Sequence, residues 1–264
     1  MIKTLIAARL NFVLLLFFAG RFVKIQYILE VEQISALQSI WNGFDFSYIL
    51  SILLGLIPSL LCITLHELSH GFVAWKLGDN TAKARGRLTL NPLKHLDVMG
   101  LLMLMVFHVG WAKPVPVNMY NFKDPKRGMA LTALAGPVSN FLISLVFMFL
   151  FGVTYTLVGY HYSEAGYYLL QMLQLTAYIS LGLGLFNLIP IPPLDGSKVL
   201  LSCMSDSSYD KLMRYERYGM ILMIALVSTG IMGKPLSAAI DYIYGLLVPL
   251  AQWGADLSYL LFFK

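Results

Sequence analysis

The sequence predicts an all-α polytopic membrane protein of about six transmembrane helices, with a small β-like or re-entrant region between two of them. Two observations lead to this fold class. First, 58% of the 264 residues are apolar and 12% are charged, about half the charged share of a soluble domain, which excludes a disordered chain, a coiled coil and a disulfide scaffold. Second, long stretches carry no charge at all. The two cysteines, Cys62 and Cys203, lie in or beside such stretches and indicate neither a disulfide nor a cysteine zinc site.

The uncharged runs define the predicted spans. Residues 46–65, 128–163 and 165–194 carry no charged side chain, and each run reaches the roughly 20 residues that cross a bilayer. Residues 218–233 and 235–263 each predict one further span, nearer the C-terminus.

Two shorter apolar stretches need a separate interpretation. Residues 10–20 are mostly apolar between Arg9 and Arg21, and we interpret them as a short membrane helix whose flanking charges reach the membrane surface. Residues 98–111 are apolar but too short to cross, and Gly and Pro are frequent in their flanks. A re-entrant or interfacial segment is therefore predicted here.

The distribution of Lys and Arg predicts the orientation in the cell membrane. Residues 25–75 and 128–197 contain neither residue type, whereas residues 76–127 contain nine and residues 198–217 contain four. Basic residues in short loops mark the cytoplasmic side, so we expect both basic segments to lie in the cytoplasm. The net charge of +5 then reflects topology, and no nucleic-acid partner is expected.

The motif His66-Glu67-Leu68-Ser69-His70 carries the first chemical signal. On a helix, His66 and His70 lie one turn apart on one face, so both imidazoles can bind one zinc ion. Glu67 lies beside them and can accept a proton from a zinc-bound water without binding the metal itself. The same three side chains could instead form a proton relay or a polar pair inside a helix bundle.

A zinc site needs a third protein ligand, and Asp195 is the strongest candidate. It follows three prolines at the end of an uncharged run, in Pro190-Ile191-Pro192-Pro193-Leu194-Asp195-Gly196, where the helix must break and the backbone can turn. The alternative is an exposed aspartate at a helix stop. His95 and Asp97 could form a second metal site, but surface polar residues at a turn are the better interpretation.

Together these motifs resemble the site-2 protease family of intramembrane zinc metalloproteases. The family's pattern is matched by His66-Glu67-x-x-His70, by Gly136-x-x-x-Asn140, and by Asn187-x-x-Pro-x-Pro-Pro-Leu-Asp195-Gly196. Residues 78–92 and 110–118 resemble a compact bacterial subgroup. The likeness covers about residues 48–200, and we expect no PDZ or CBS domain.

The resemblance implies a metalloprotease core at residues 46–200, preceded by a membrane helix and outer loop at residues 1–45 and followed by membrane helices at residues 201–264. In this core His66 and His70 come from the first helix and Asp195 from the third, and together they bind one Zn2+ per chain. Asn140 and Asn187 would lie near the metal. Either could stabilise the oxyanion or contact the substrate, and a helix–helix hydrogen bond is an equal alternative for each.

The implied activity is regulated intramembrane proteolysis near the cytoplasmic side. A peptide bond in the transmembrane segment of a membrane-anchored substrate would be hydrolysed by Glu67-assisted attack of zinc-bound water. The partners would be this transmembrane substrate and the lipid bilayer, and an unwound substrate could pair with the edge of residues 84–118. Two other functions stay open: a transporter or proton pathway that uses the His and Asp residues as a relay, and a catalytically silent membrane scaffold.

Overall fold

A computed structural model describes residues 46–100, 111–161, 163–204, 219, 222–223, 225–227 and 229–263. Within these ranges the chain is mostly helical, as predicted. The predicted helix at residues 10–20 and most of the predicted re-entrant segment lie outside the described residues, as does much of the predicted span at residues 218–233.

The first described helix, α1 (Phe46–Lys76), carries the His-Glu motif. It includes the uncharged run 46–65 and continues for three more turns into the first basic segment. The chain leaves the helix at Gly78, whose φ of 111° is a backbone conformation that favours glycine. A single helical turn, α2 (Thr81–Ala84), follows.

Two long helices follow, and local signals at their ends account for their limits. Helix α3 (Pro125–Tyr160) begins at a proline, and the side chain of Asp124 caps it by accepting a hydrogen bond from Arg127 N. Helix α4 (Glu164–Asn187) ends seven residues before the uncharged run does. The prolines that follow cannot continue a helix, and they bias the residues before them toward extended backbone.

Helix α5 (Asp195–Ser202) and helix α6 (Gly233–Phe262) complete the described part of the fold. Helix α3 packs against α1, α4 and α6 and so lies at the centre. The contact of α1, α3 and α4 buries Cys62, Ile143 and Ile179. This three-helix contact continues directly into the His-Glu motif on α1.

Three helices within the described residues are long and apolar enough to cross a membrane: Leu53–Lys76, Pro125–Tyr160 and Glu164–Asn187. Side chains such as Leu142 and Val146 on α3 are more than half exposed, which is the surface expected of a helix that faces lipid. The prediction of a helical membrane protein is confirmed to this extent. The predicted total of about six transmembrane helices stays a prediction.

The region predicted to be β-like forms no sheet among its described residues. Its one β feature there is an isolated antiparallel bridge between Leu96 and Ala112, next to a hydrogen bond from Lys113 N to the His95 carbonyl of 2.9 Å. Residues 113–118 run on without a strand partner. Pro114 and Pro116 lack the N–H groups that a ladder needs, so the expectation of a β-like edge was too regular.

Candidate metal centre

His66 and His70 face the same point near the C-terminal end of α1. Their Nε2 atoms are 3.0 Å apart, and the two rings are nearly perpendicular, with centroids 4.6 Å apart. Both residues are buried, at 5% and 8% exposure. The four-residue spacing on a helix of 3.6 residues per turn produces this arrangement.

Asp195 joins the two histidines from a different element. It opens α5, after the proline-rich turn that follows α4. Its Oδ2 atom lies 3.2 Å from His66 Nε2 and 3.1 Å from His70 Nε2. Asp195 is 7% exposed, so the alternative of an exposed aspartate at a helix stop is wrong. Within the described residues, these three side chains are the group of His, Cys, Asp or Glu that could hold a metal ion.

The environment of Asp195 stabilises its ionised form. Burial alone raises the pKa of the carboxyl group, but the charge of His70, the hydrogen bonds of both histidines and the ammonium group of Lys198 outweigh burial. Together they hold the pKa of Asp195 well below its usual range. The carboxylate is therefore present in the form that binds a cation.

Further contacts hold each imidazole ring by its other nitrogen. His70 Nδ1 lies 2.7 Å from the carbonyl oxygen of Thr132 on α3. A carbonyl can only accept, so Nδ1–H donates, and Nε2 is the nitrogen that faces Asp195 and the candidate metal position. The side-chain amide of Asn140 lies 3.1 Å from His66 Nδ1. Asn140 was predicted to lie near the metal, and the geometry brings it to the far side of the His66 ring.

The Asn140 amide also tests whether the residues fit a zinc ion. A metal on His66 Nε2 requires a proton on Nδ1, and that proton needs an acceptor. Asn140 Oδ1 is buried and has no hydrogen-bond partner among the described residues. Which atom of an asparagine amide is oxygen and which is nitrogen is assigned from its hydrogen bonds. Flipping the Asn140 amide brings Oδ1 to His66 Nδ1 and provides the acceptor.

The backbone of α3 approaches the same two rings at Gly136. A Cβ atom at this position would lie 2.4 Å from His70 Cε1, 2.5 Å from His70 Nε2 and 2.6 Å from His66 Cε1. Only glycine leaves this space open. Tetrahedral ligands at zinc bond lengths of about 2.0–2.2 Å lie roughly 3.3 Å apart, close to the separations of the three ligand atoms, so the residues present fit zinc.

Glu67 lies next to the cluster and contributes no atom to it. Its side chain is half-buried, and its Oε2 atom accepts a hydrogen bond of 2.9 Å from the backbone N–H of Val115. The carboxylate is thus held by the irregular segment that follows the predicted re-entrant stretch, while the adjacent His66 faces the metal position.

Lys198 is a residue near the cluster that sequence reasoning missed. Its Nζ atom lies 3.6 Å from Asp195 Oδ1, the carboxylate oxygen that the two histidines do not contact. The available signal was the three-residue spacing from Asp195, which brings two side chains to one face of a helix. That signal has meaning only once α5 is known to begin at Asp195.

Three other candidates bond elsewhere. Asn187 Nδ2 donates to the carbonyl of Leu183 in its own helix, at 3.0 Å. His95 lies at a turn but is fully buried rather than on the surface, with Nε2 2.9 Å from the Thr89 carbonyl. Asp97 accepts a hydrogen bond from the N–H of Gly100. Neither His95 nor Asp97 belongs to a metal-type cluster in the described part of the chain.

Comparisons with known proteins identify related chains. Residues 159–230 match the model of Peptidase family M50. The chain is 39% identical over 173 residues to "Putative zinc metalloprotease YwhC" of Bacillus subtilis, covering 66% of this chain and 79% of that protein. It is 30% identical over 189 residues to "Putative zinc metalloprotease Rip2" of Mycolicibacterium smegmatis, covering 69% and 70%. It is 29% identical over 225 residues to "Zinc metalloprotease MJ0392" of Methanocaldococcus jannaschii, covering 85% and 50%. No solved structure matches the chain.

Proposed function

The chain belongs to peptidase family M50, the site-2 protease family of zinc metalloproteases, and on this premise we propose that it is an intramembrane endopeptidase. Its substrate is a membrane-anchored protein, and the reaction is hydrolysis of a peptide bond in the substrate's transmembrane segment. One observation carries the proposal. His66, His70 and Asp195 converge on one point, beside Glu67, at a helix that is apolar enough to cross a membrane.

The residues of the site divide the chemistry among them. When bound, zinc acts as a Lewis acid and lowers the pKa of a water bound to it to about 7. His66 and His70 would hold the ion through Nε2, and Asp195 would hold it through Oδ2. Glu67 accepts the proton of the attacking water and delivers it to the leaving amine.

The two asparagines differ in what their contacts support. The amide of Asn140 adjoins His66 Nδ1, so we assign it to orienting that ligand rather than to the substrate. The oxyanion role stays a prediction for Asn187, whose amide donates to Leu183 while no substrate is present.

The active site is proposed to lie near the cytoplasmic side of the membrane. His70 precedes Lys76 by less than two helical turns, and Lys76 begins the first basic segment. The ammonium groups of Lys76 and Lys83 lie 4.9 and 4.4 Å from the centroid of the Trp75 ring. Aromatic and basic side chains grouped in this way are typical of the boundary between a membrane and water.

The segment 98–111 is proposed to enter the membrane and return on the same side. The bridge between Leu96 and Ala112 and the hydrogen bond from Lys113 N to His95 bring the two ends of this segment together. Cysteines introduced singly at residues 101 and 111 should react with a membrane-impermeant thiol reagent added from the cytoplasmic side. Labelling of either position from the outside would contradict this topology.

A substrate helix must be partly unwound before its peptide bond is accessible. The carbonyls of residues 114–117 accept no hydrogen bond from the described residues, so such an unwound stretch can pair with them in the segment Lys113–Asn118, although the two prolines make this an irregular edge and not a regular β-ladder. This edge adjoins Glu67 through Val115, so a paired substrate lies beside the proposed base.

The test is cleavage of a model transmembrane substrate by the purified protein in lipid vesicles. We expect cleavage with zinc, loss of cleavage with a chelator, and recovery when zinc is returned. Zinc binding without cleavage would indicate a silent scaffold. Proton flux across the vesicle membrane without cleavage would indicate a transport pathway, and either result would overturn the proposal.

A further inference from the structure

We infer that the backbone N–H of Val115 positions Glu67 for proton transfer, and that the segment Lys113–Asn118, called the strap below, is held by Arg87 and Asp79 in the register that this requires. The inference rests on the proposed function, because it takes Glu67 to be the base. It makes Val115 a positioning residue that acts through Glu67.

The contact with Val115 is what orients the Glu67 side chain. A glutamate side chain has three rotatable bonds, and a single directed hydrogen bond to one oxygen limits them. Val115 N lies 2.9 Å from Glu67 Oε2, and Oε1 accepts no hydrogen bond from the described residues. One oxygen is therefore held while the other stays available to water.

The strap contains few backbone N–H groups near Val115. In Pro114-Val115-Pro116-Val117 the prolines have no N–H. Val115 and Val117 are two residues apart, so in extended chain their N–H groups point to the same edge. The N–H of Val115 binds Glu67, whereas the N–H of Val117 has no partner within the described residues.

The first end of the strap is fixed by Arg87. Its guanidinium group donates a hydrogen bond of 2.7 Å to the carbonyl of Lys113, and Arg87 is only 7% exposed. The N–H of Lys113 donates to the His95 carbonyl at 2.9 Å. Both backbone polar groups of Lys113 are thus used, which holds the position two residues before Val115.

The other end is fixed by Asp79, a fully buried carboxylate. Its Oδ2 accepts a hydrogen bond of 2.7 Å from Asn118 N, and its Oδ1 accepts one of 2.7 Å from Asn121 Nδ2. The backbone N–H of Asp79 donates to the Ala74 carbonyl in the last turn of α1. The Asn118 end of the strap is therefore tied, through Asp79, to the same helix that carries Glu67.

Val115 has a second feature that a test must separate from its N–H. Its side chain is buried, and its Cγ1 atom would lie 3.0 Å from a Cβ placed on Gly71. A loss of activity on mutation could therefore come from lost packing. Val115→Ala removes apolar contacts and keeps the N–H, whereas Val115→Pro keeps an apolar side chain and removes the N–H.

These two variants and the control Val117→Pro are compared in zinc content, kcat and KM on a transmembrane substrate. We expect Val115→Pro to lower kcat on the order of 10- to 100-fold, the cost of a misplaced catalytic group, with zinc content unchanged. Val115→Ala and Val117→Pro should each lower kcat far less than Val115→Pro does, because both keep the N–H that binds Glu67. Equal loss of kcat in Val115→Ala, or in Val117→Pro, would overturn the inference.

Hydrogen exchange gives a readout that does not depend on activity. In the zinc-loaded protein, the Val115 amide should exchange faster in Glu67→Ala than in the wild type, because its acceptor is gone. Unchanged exchange would overturn the inference even if Val115→Pro fails to fold. If Glu67→Gln cleaves normally, the proposed function itself fails; if Glu67→Gln is inactive while Val115→Pro keeps its kcat, only the positioning role fails.

Discussion

Replacing Gly136 by alanine would add one methyl group where α3 meets the two histidines. The added Cβ would lie 2.4–2.6 Å from atoms of His66 and His70, about 1 Å inside ordinary contact between carbon or nitrogen atoms. The rings cannot move away freely, because each is held at its Nδ1 atom. His70 Nδ1 lies 2.7 Å from the Thr132 carbonyl, and His66 Nδ1 lies 3.1 Å from the Asn140 amide. Either the rings turn away from the metal position or α3 moves away from α1.

The expected loss appears mainly in zinc affinity. Overpacking a close contact costs roughly 1–3 kcal/mol, and disturbing the groups that orient metal ligands weakens binding about 10- to 100-fold. We therefore expect the zinc dissociation constant of Gly136→Ala to rise on the order of 10- to 100-fold. Peptide cleavage at limiting zinc should fall in proportion.

The assay is zinc competition against a chelator of known affinity, with helical content followed in parallel. Gly159→Ala is the matched control, because Gly159 lies on the same helix and an added Cβ there meets nothing within 4 Å. The control should bind zinc like the wild type. Normal zinc affinity in Gly136→Ala, or an equal loss in both variants, would refute the idea that the glycine makes room for the ligands.

Three further predictions concern the ligands and the residues that support them. Asp195→Ala and His66→Ala should each lower zinc content well below one ion per chain by elemental analysis, and stoichiometric zinc in Asp195→Ala would remove that residue from the metal site. Lys198→Met should weaken zinc binding about tenfold or less and Lys198→Arg should restore it, because the cation holds the outer oxygen of Asp195; equal affinities in a chelator titration would contradict this. Burial raises the pKa of Asp79, but hydrogen bonds from neighbouring donors outweigh burial and hold the pKa of this carboxyl group below its usual value. The ionised Asp79 side chain therefore stabilises the fold above about pH 4, and this stabilisation is lost as the pH falls through the lower pKa of the folded state. Asp79→Asn should therefore lower Tm at pH 7 and flatten the dependence of Tm on pH below about pH 5, and parallel Tm curves for the two proteins would show that Asp79 is not the group involved.

Much of the fold follows from signals that are local in the sequence. Uncharged runs indicated α1, α3 and α4 because burying backbone in lipid requires helices, and charge is excluded from them. The residues at which the helices begin and end were harder to predict from the sequence. Helix α4 ends at Asn187 because the prolines that follow act before the apolar run is over.

The features of the site are likewise of two kinds, those that are local in the sequence and those that depend on packing. The four-residue spacing of His66 and His70 is a property of one helix, and it could be read directly. The approach of Gly136 to these rings and the hydrogen bond from Val115 to Glu67 join elements far apart in the chain. Every residue except proline has a backbone N–H, so the sequence does not indicate which of these groups contacts Glu67. Only the packed structure shows that it is the N–H of Val115.

In the proposed function, this metal centre hydrolyses a peptide bond inside a membrane by means of Glu67. The most direct measurement is mass spectrometry of the products from a transmembrane substrate incubated in lipid vesicles with zinc-loaded wild type or Glu67→Gln. We predict two fragments that meet within the transmembrane segment for the wild type, and intact substrate for Glu67→Gln at equal zinc content. The same fragments in both reactions, or a cut outside the transmembrane segment, would contradict the proposed function.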